Sequence, residues 1–306
     1  MSRHGTYSIV ARDPATGDVG VAVQSHWFSV GPLCAWARAG VGAVATQSVV
    51  EPAYGPNALD LMAGGAGAEP ALAELLAADP LSAVRQVAVV DVHGGVATHT
   101  GRDCIAHAGH VAGEHWSCQA NMMERGTVPQ AMSEAFATAE GNLSERLLSA
   151  LFAAESQGGD VRGRQSAAMV VVPADGEPWR RTVDLRVEDS RQPLDELRRL
   201  LTLQHAYDLA GSGDELLAAG RTDEAGELYR QAAELAPGSD ELLFWSGLAQ
   251  AQAGDLEAGV AAVRRAAEEN PNWLVLLDRL SPEFAPAAEK VISLYRRLPP
   301  RAPTDQ

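Results

Sequence analysis

Lysine is almost absent from this chain. Of 24 basic residues, Lys290 is the only lysine and the other 23 are arginines. No side-chain amine therefore precedes Lys290, which excludes Schiff-base, P-loop and Ser–Lys chemistry over nearly the whole length. Cysteine is scarce too: Cys34, Cys104 and Cys118 are too few, and odd in number, for a secreted disulfide scaffold. No apolar run approaches the roughly 18 residues of a membrane span. The start, MSRHGTYSIVARD, lacks the apolar core of a signal peptide. Positive charge is in deficit, 24 basic against 40 acidic residues, for a net charge of −16. A nucleic-acid binder needs a basic surface to displace counterions, and anionic membranes repel an acidic one. The expectation is a cytoplasmic protein with neither nucleic acid nor membrane as partner.

What is present is globular. Hydrophobic residues make up 46% and charged residues 21% of 306, enough for two domains. TYSIVAR (6–12) and VGVAVQS (19–25) alternate around a DPATGD turn and predict a hairpin, and 41–48 predicts a third strand. Helices are expected at 54–63 and 69–78, then strands at 84–92 and 96–101. Residues 103–128, rich in His, Cys and Gly, read as irregular. Helices at 129–139 and 142–157 precede strands at 166–174 and 179–189. Strand pairs followed by helix pairs predict an α+β fold, with helices on both faces of largely antiparallel sheet.

Near 190 the polar stretch DSRQP marks a boundary, giving domains 1–189 and 190–306. Everything beyond it reads helical, beginning with 194–209. Gly213, Gly220, Tyr229, Ala232 and Pro237 recur 34 residues later as Gly247, Gly254, Val263, Ala266 and Pro271. This resembles the tetratricopeptide repeat, where small residues let two antiparallel helices approach and Pro ends the second. Two repeats cannot bury a core alone, so the flanking helices 194–209 and 283–297 are expected to cap them.

Gly5-Thr6 opens the first strand. A Thr that becomes the N-terminus gains a hydroxyl nucleophile and an α-amine of pKa about 7.7–8.0, suited to a general base. An ordinary strand start answers the same pattern. Taken together, TYSIVARDPATGDVGVAVQSHWFSVG, GVGAVATQSVVEPAYGP and GGDVRGRQSAAMVVV resemble the DUF1028 family. That family is assigned to the N-terminal-nucleophile hydrolase superfamily, and the resemblance spans residues 6–189. It implies a four-layer αββα sandwich and hydrolysis of an amide bond. It also places Thr6 at the position of the family's Thr, with MSRHG preceding it, so that either Gly5–Thr6 is cleaved, or the true start differs, or the chain stays unprocessed. The superfamily's proteasome-like branch pairs its Thr with a lysine, which this domain lacks, so the α-amine itself would serve.

On the same resemblance, Asp160, Arg162, Gln165 and Ser166 lie on a loop that contacts the nucleophile. Asp160 or Ser166 would orient the α-ammonium, and Arg162 would pair with a substrate carboxylate. An internal Asp160–Arg162 turn salt bridge is the alternative. Asn121 would donate to an oxyanion, with Gln119 beside it, and Ser25 and Gln47 at strand ends would line the site. Satisfied strand-end hydrogen bonds are the alternative for each.

His99, Cys104, His107, His110, His115 and Cys118 crowd one stretch, and zinc accepts both residue types. Their spacing, H-x4-C-x2-H-x2-H-x4-H-x2-C, matches no zinc module, so no metal and no cofactor is assigned. The leading expectation is a hydrolase of a small amide or acylated amino acid, and a homo-oligomer. The alternative is a non-catalytic αββα scaffold that binds a protein partner through the repeat-like helices.

Overall fold

The structure is a computed structural model that describes residues 5–298. Its compact units divide between Leu201 and Thr202. In the first, β1 (Thr6–Arg12) and β2 (Val19–Ser25) form the expected hairpin. A short helix α1 (Gly31–Cys34) leads into β3 (Ala35–Arg38) and β4 (Gly42–Ser48). Helices α2 (Tyr54–Ala63) and α3 (Ala68–Ala78) follow, then β5 (Arg85–Asp91) and β6 (Val96–Thr100). The segment read as irregular contains β7 (Gly109–Ala112) and β8 (Trp116–Asn121). Then come α4 (Val128–Thr138), α5 (Leu143–Ser156), β9 (Ser166–Val172) and β10 (Val183–Val187). Asn142 caps α5 with a capping box, its side chain accepting from the Glu145 amide while Glu145 reaches back.

Two antiparallel sheets result, one of six strands in the order β10-β9-β2-β1-β8-β7 and one of four in the order β3-β4-β5-β6. Period-two alternation gives β1 two apolar faces. Tyr7, Ile9 and Ala11 pack with Met132, Phe136, Leu147 and Leu151 of α4 and α5. Val10, with Val21 and Val23 of β2, packs against Ala43, Ala45, Ala88 and Val90 of the smaller sheet. The other face of that sheet, Val44, Val87 and Val89, packs with Leu59, Met62 and Leu72 of α2 and α3. The layer order is thus helices, sheet, sheet, helices.

The 26-residue helix α6 (Pro193–Ala218) starts in the first unit, where Leu194, Leu197 and Leu201 join its core. The change of core therefore falls later than the change of composition at 190. The second unit continues α6 and adds α7 (Thr222–Leu235), α8 (Asp240–Gln252), α9 (Leu256–Glu269), α10 (Asn272–Leu277) and α11 (Ala288–Arg297). The repeat spacing has a visible cause at Gly247: a Cβ there would lie 2.7 Å from the Gly259 carbonyl oxygen, so only glycine lets α8 and α9 pack so closely. No helix among the described residues is long and apolar enough to cross a membrane.

Candidate active site around Gly5–Thr6

Strand register builds this site. Thr6 pairs with Ser25 on β2 and with Asn121 on β8. Along β1, Thr6 and Ser8 share the face that Val10 turns toward the smaller sheet, but the face is polar at this end. Thr6, Ser8, Ser25, Gln47, Gln86, Gln119 and Asn121 are all buried there. Buried polar groups must find partners, and these find one another.

Thr6 Oγ1 donates to Ser25 Oγ at 3.1 Å, and Ser25 Oγ donates to the Gly5 carbonyl at 2.5 Å. Arg162 Nη2 donates to the same Gly5 oxygen at 2.9 Å. The carbonyl before Thr6 thus carries a hydroxyl donor and a guanidinium donor. On the other side of the residue, the Thr6 carbonyl accepts from Gln47 Nε2 at 3.1 Å and from Asn121 Nδ2 at 3.4 Å. Gln86 joins these two amides, its Oε1 accepting from both at 2.7 and 3.0 Å. Its own Nε2 donates to Thr100 Oγ1 and to the Gly109 and Ala120 carbonyls. Ser8 donates to Gln47 Oε1 and accepts from Gln119 Nε2, both at 2.6 Å.

Asp160 closes the site from the loop before β9. Its carboxylate accepts Arg162 Nε and Nη2 in a fork, and the His26 and Arg162 amides complete its shell. Its side chain is fully buried. A Cβ on Gly5 would sit 2.8–2.9 Å from Asp160 Oδ1, Cγ and Oδ2, so glycine is the residue that fits before Thr6.

The expected residues therefore separate into two groups. Thr6, Ser25, Gln47, Asn121, Asp160 and Arg162 converge on the Gly5–Thr6 segment, and Gln119 joins through Ser8. Ser166 does not converge: its hydroxyl donates to the Trp27 carbonyl at 2.5 Å and accepts from the Val30 amide, holding the 27–30 loop. Gln165 is spent on Asp189, 3.1 Å away. Arg162, expected to meet a substrate carboxylate, already has its fork filled by Asp160. Asn121 is aimed at the Thr6 carbonyl rather than the Gly5 carbonyl. Ser8 and Gln86 were not anticipated. Their signal was present, as polar residues at inward positions of otherwise apolar strands.

The His/Cys-rich stretch is dispersed. His99 binds the Ser82 carbonyl, and Cys104 the Arg85 carbonyl. Thr100 and His110 form a separate pair. Burial, then the neighbouring His99, pushes the His110 pKa down. Cys118 lies in the apolar core, where burial pushes its thiol far up. No group of three possible metal ligands exists among the described residues.

Two family models match the chain. The model of a family of unknown function, DUF1028, matches residues 6–197. A tetratricopeptide repeat model matches 216–280. A solved structure, protein SPO2555 from Silicibacter pomeroyi and also a DUF1028 protein, is 32% identical with a TM-score of 0.59. That match covers 64% of this chain and 84% of the other. No curated protein matches.

Proposed function

The chain belongs to the DUF1028 family, and from that premise we propose an amide-bond hydrolase of the N-terminal-nucleophile type, with Thr6 as nucleophile. The layer order of helices, sheet, sheet and helices is read as the αββα sandwich of that superfamily. The observation that carries the reading is the doubly held Gly5 carbonyl beside a Thr6 hydroxyl bound to one of the same donors.

Cleavage of the Gly5–Thr6 bond needs no lysine in this arrangement. As Thr6 Oγ adds to the Gly5 carbonyl carbon, its proton passes to Ser25 Oγ. Arg162 stabilises the negative charge that builds on the Gly5 oxygen as the bond forms, and the Ser25 proton then passes to that oxygen. The carbonyl then re-forms as the carbon–nitrogen bond breaks, and the proton on the Gly5 oxygen returns through Ser25 Oγ to the Thr6 nitrogen. This leaves Gly5 as an ester on Thr6 and a free α-amine. Water hydrolyses the ester and the leader departs. The α-amine is then the general base for substrate turnover, in which the same ester chemistry acts on an external amide.

The test is the N-terminus of the purified protein together with Thr6→Ala. The wild type is expected to begin at Thr6, and the variant to retain its leader and lack amidase activity. Continued cleavage in Thr6→Ala would point to an external protease.

A second reading has its own support in the helical unit. A cavity of about 690 Å³ is lined there by Tyr207, Asp214, Glu241, Trp245, Glu283 and Phe284 among others, with no basic residue. Such a lining suits a basic, apolar peptide, so the helices would recruit a protein partner whether or not the sandwich is catalytic. Binding of a basic peptide by a chain that keeps its leader would favour this reading alone.

A further inference from the structure

We infer that Asp160 limits the acyl side of the substrate to an α-carbon bearing no L side chain, so that glycyl-type acyl groups are accepted and ordinary L-aminoacyl groups are refused. The inference rests on the reading of Thr6 as nucleophile.

It follows from treating the leader as the first acyl group the site handles. When Thr6 Oγ attacks the Gly5 carbonyl, the acyl part of the resulting ester is Gly5. When it attacks an external amide, the ester has the same atoms from Thr6 Oγ to the acyl carbon. A carbonyl oxygen that uses Arg162 Nη2 and Ser25 Oγ as donors sets its α-carbon where the Gly5 Cα lies. At that point the direction of an L side chain is closed. The Cβ would stand 2.8 Å from Asp160 Oδ1 and 2.9 Å from both Cγ and Oδ2, closer than carbon approaches such atoms.

A flexible neighbour would yield, but Asp160 is fixed. Arg162 binds it at 2.8 and 3.1 Å, the Arg162 amide at 2.9 Å and the His26 amide at 3.1 Å. With two donors on each oxygen the carboxylate cannot rotate without breaking charge-assisted bonds. Its backbone is tied as well, since Asp160 bridges Met123, with the Glu124 amide on the Gly159 carbonyl and the Val161 amide on the Met122 carbonyl. Asp160 is therefore a wall, and it acts on selectivity through shape. An unsubstituted α-carbon passes.

Activated esters test this without knowledge of the natural leaving group. The full chain as purified is incubated with the p-nitrophenyl esters of N-acetylglycine and of N-acetyl-L-alanine, with Thr6→Ala as control. In the acyl step the Thr6 Oγ–carbonyl carbon bond forms, the bond to p-nitrophenolate breaks, and the hydroxyl proton goes to the α-amine. Intact mass follows the Thr6-dependent adduct. The rate ratio of the two esters is corrected by their ratio in buffer. The expected result is a preference for the glycyl ester of about tenfold or more, the size of effect that forcing one extra carbon into a packed site produces. A corrected ratio below about tenfold, with Thr6 still acylated, overturns the inference and leaves the nucleophile intact. Absence of Thr6-dependent acylation by either ester overturns both.

Discussion

Removing the Ser25 hydroxyl tests the proton path most sharply. In Ser25→Ala the Gly5 carbonyl loses its 2.5 Å donor and Thr6 Oγ1 loses its acceptor at 3.1 Å, while Arg162 still reaches the Gly5 oxygen. Loss of one donor to a developing oxyanion costs on the order of 100–1,000-fold in rate. The variant also leaves the buried Thr6 hydroxyl without its partner, which costs about 1–3 kcal/mol of stability. The two effects separate by assay. Urea denaturation of the leader-bearing chain reads the stability loss, and a time course of intact mass after synthesis reads leader removal. The expectation is a folded chain whose leader persists at least about a hundredfold longer than in wild type. A folded Ser25→Ala that sheds its leader within about threefold of the wild-type time would refute the relay.

Other perturbations read the scaffold. Asp79 accepts Arg85 Nε and the Tyr54 hydroxyl. Burial raises its pKa, but the bonds from Arg85, the Leu81 amide and Tyr54 outweigh that and leave it below the usual value of 3.8. The stability it contributes is therefore complete above about pH 4 and is lost as pH falls through the folded value. Asp79→Asn should destabilise the first unit by about 3 kcal/mol at pH 7, with the difference from wild type shrinking in acid, as read by denaturant titration. Gly247→Val should destabilise the helical unit by about 1–3 kcal/mol, since the new Cβ would lie 2.7 Å from the Gly259 carbonyl and 3.0 Å from Val263. Burial pushes the Cys34 thiol up to about 12 and Cys118 higher still, while Cys104 is only partly buried. A disulfide reagent should label Cys104 alone in the native protein and all three thiols after unfolding.

Which strands are legible in the sequence depends on what their two faces meet. Where a strand has one apolar face or two, its alternation survives in the sequence. VGVAVQS and SAAMVVV were readable because their residues meet apolar layers on both sides. WSCQAN was not, although it pairs directly with β1, because Ser117, Gln119 and Asn121 turn polar side chains into a buried inter-sheet network. The pattern of a buried strand then looks like that of a loop. AWAR carries too little alternation to read as a strand, because β3 is only four residues long. The helix expected over 194–209 runs on as α6 to Ala218, and Gly213 within it faces the Tyr229 ring, 3.2 Å from the position of its absent Cβ.

The site was partly legible. Gly5-Thr6 and the GGDVRG loop stood out, and their meeting explains both glycine and aspartate. Ser166 and Gln165 share that loop's sequence neighbourhood, but successive residues on a strand point opposite ways and loops diverge within a residue or two. Proximity in sequence therefore could not separate them from Asp160. Gln86 stands out in RQVAVVD as a polar residue at an inward position, but its partners emerge only when the two sheets face each other.

The central claim concerns one peptide bond, and intact-mass spectrometry of the freshly purified full-length chain addresses it directly. The expected mass lacks Met1 to Gly5, with Thr6 as the first residue, and Thr6→Ala is expected at its unprocessed mass. A folded wild-type protein that retains MSRHG would contradict it.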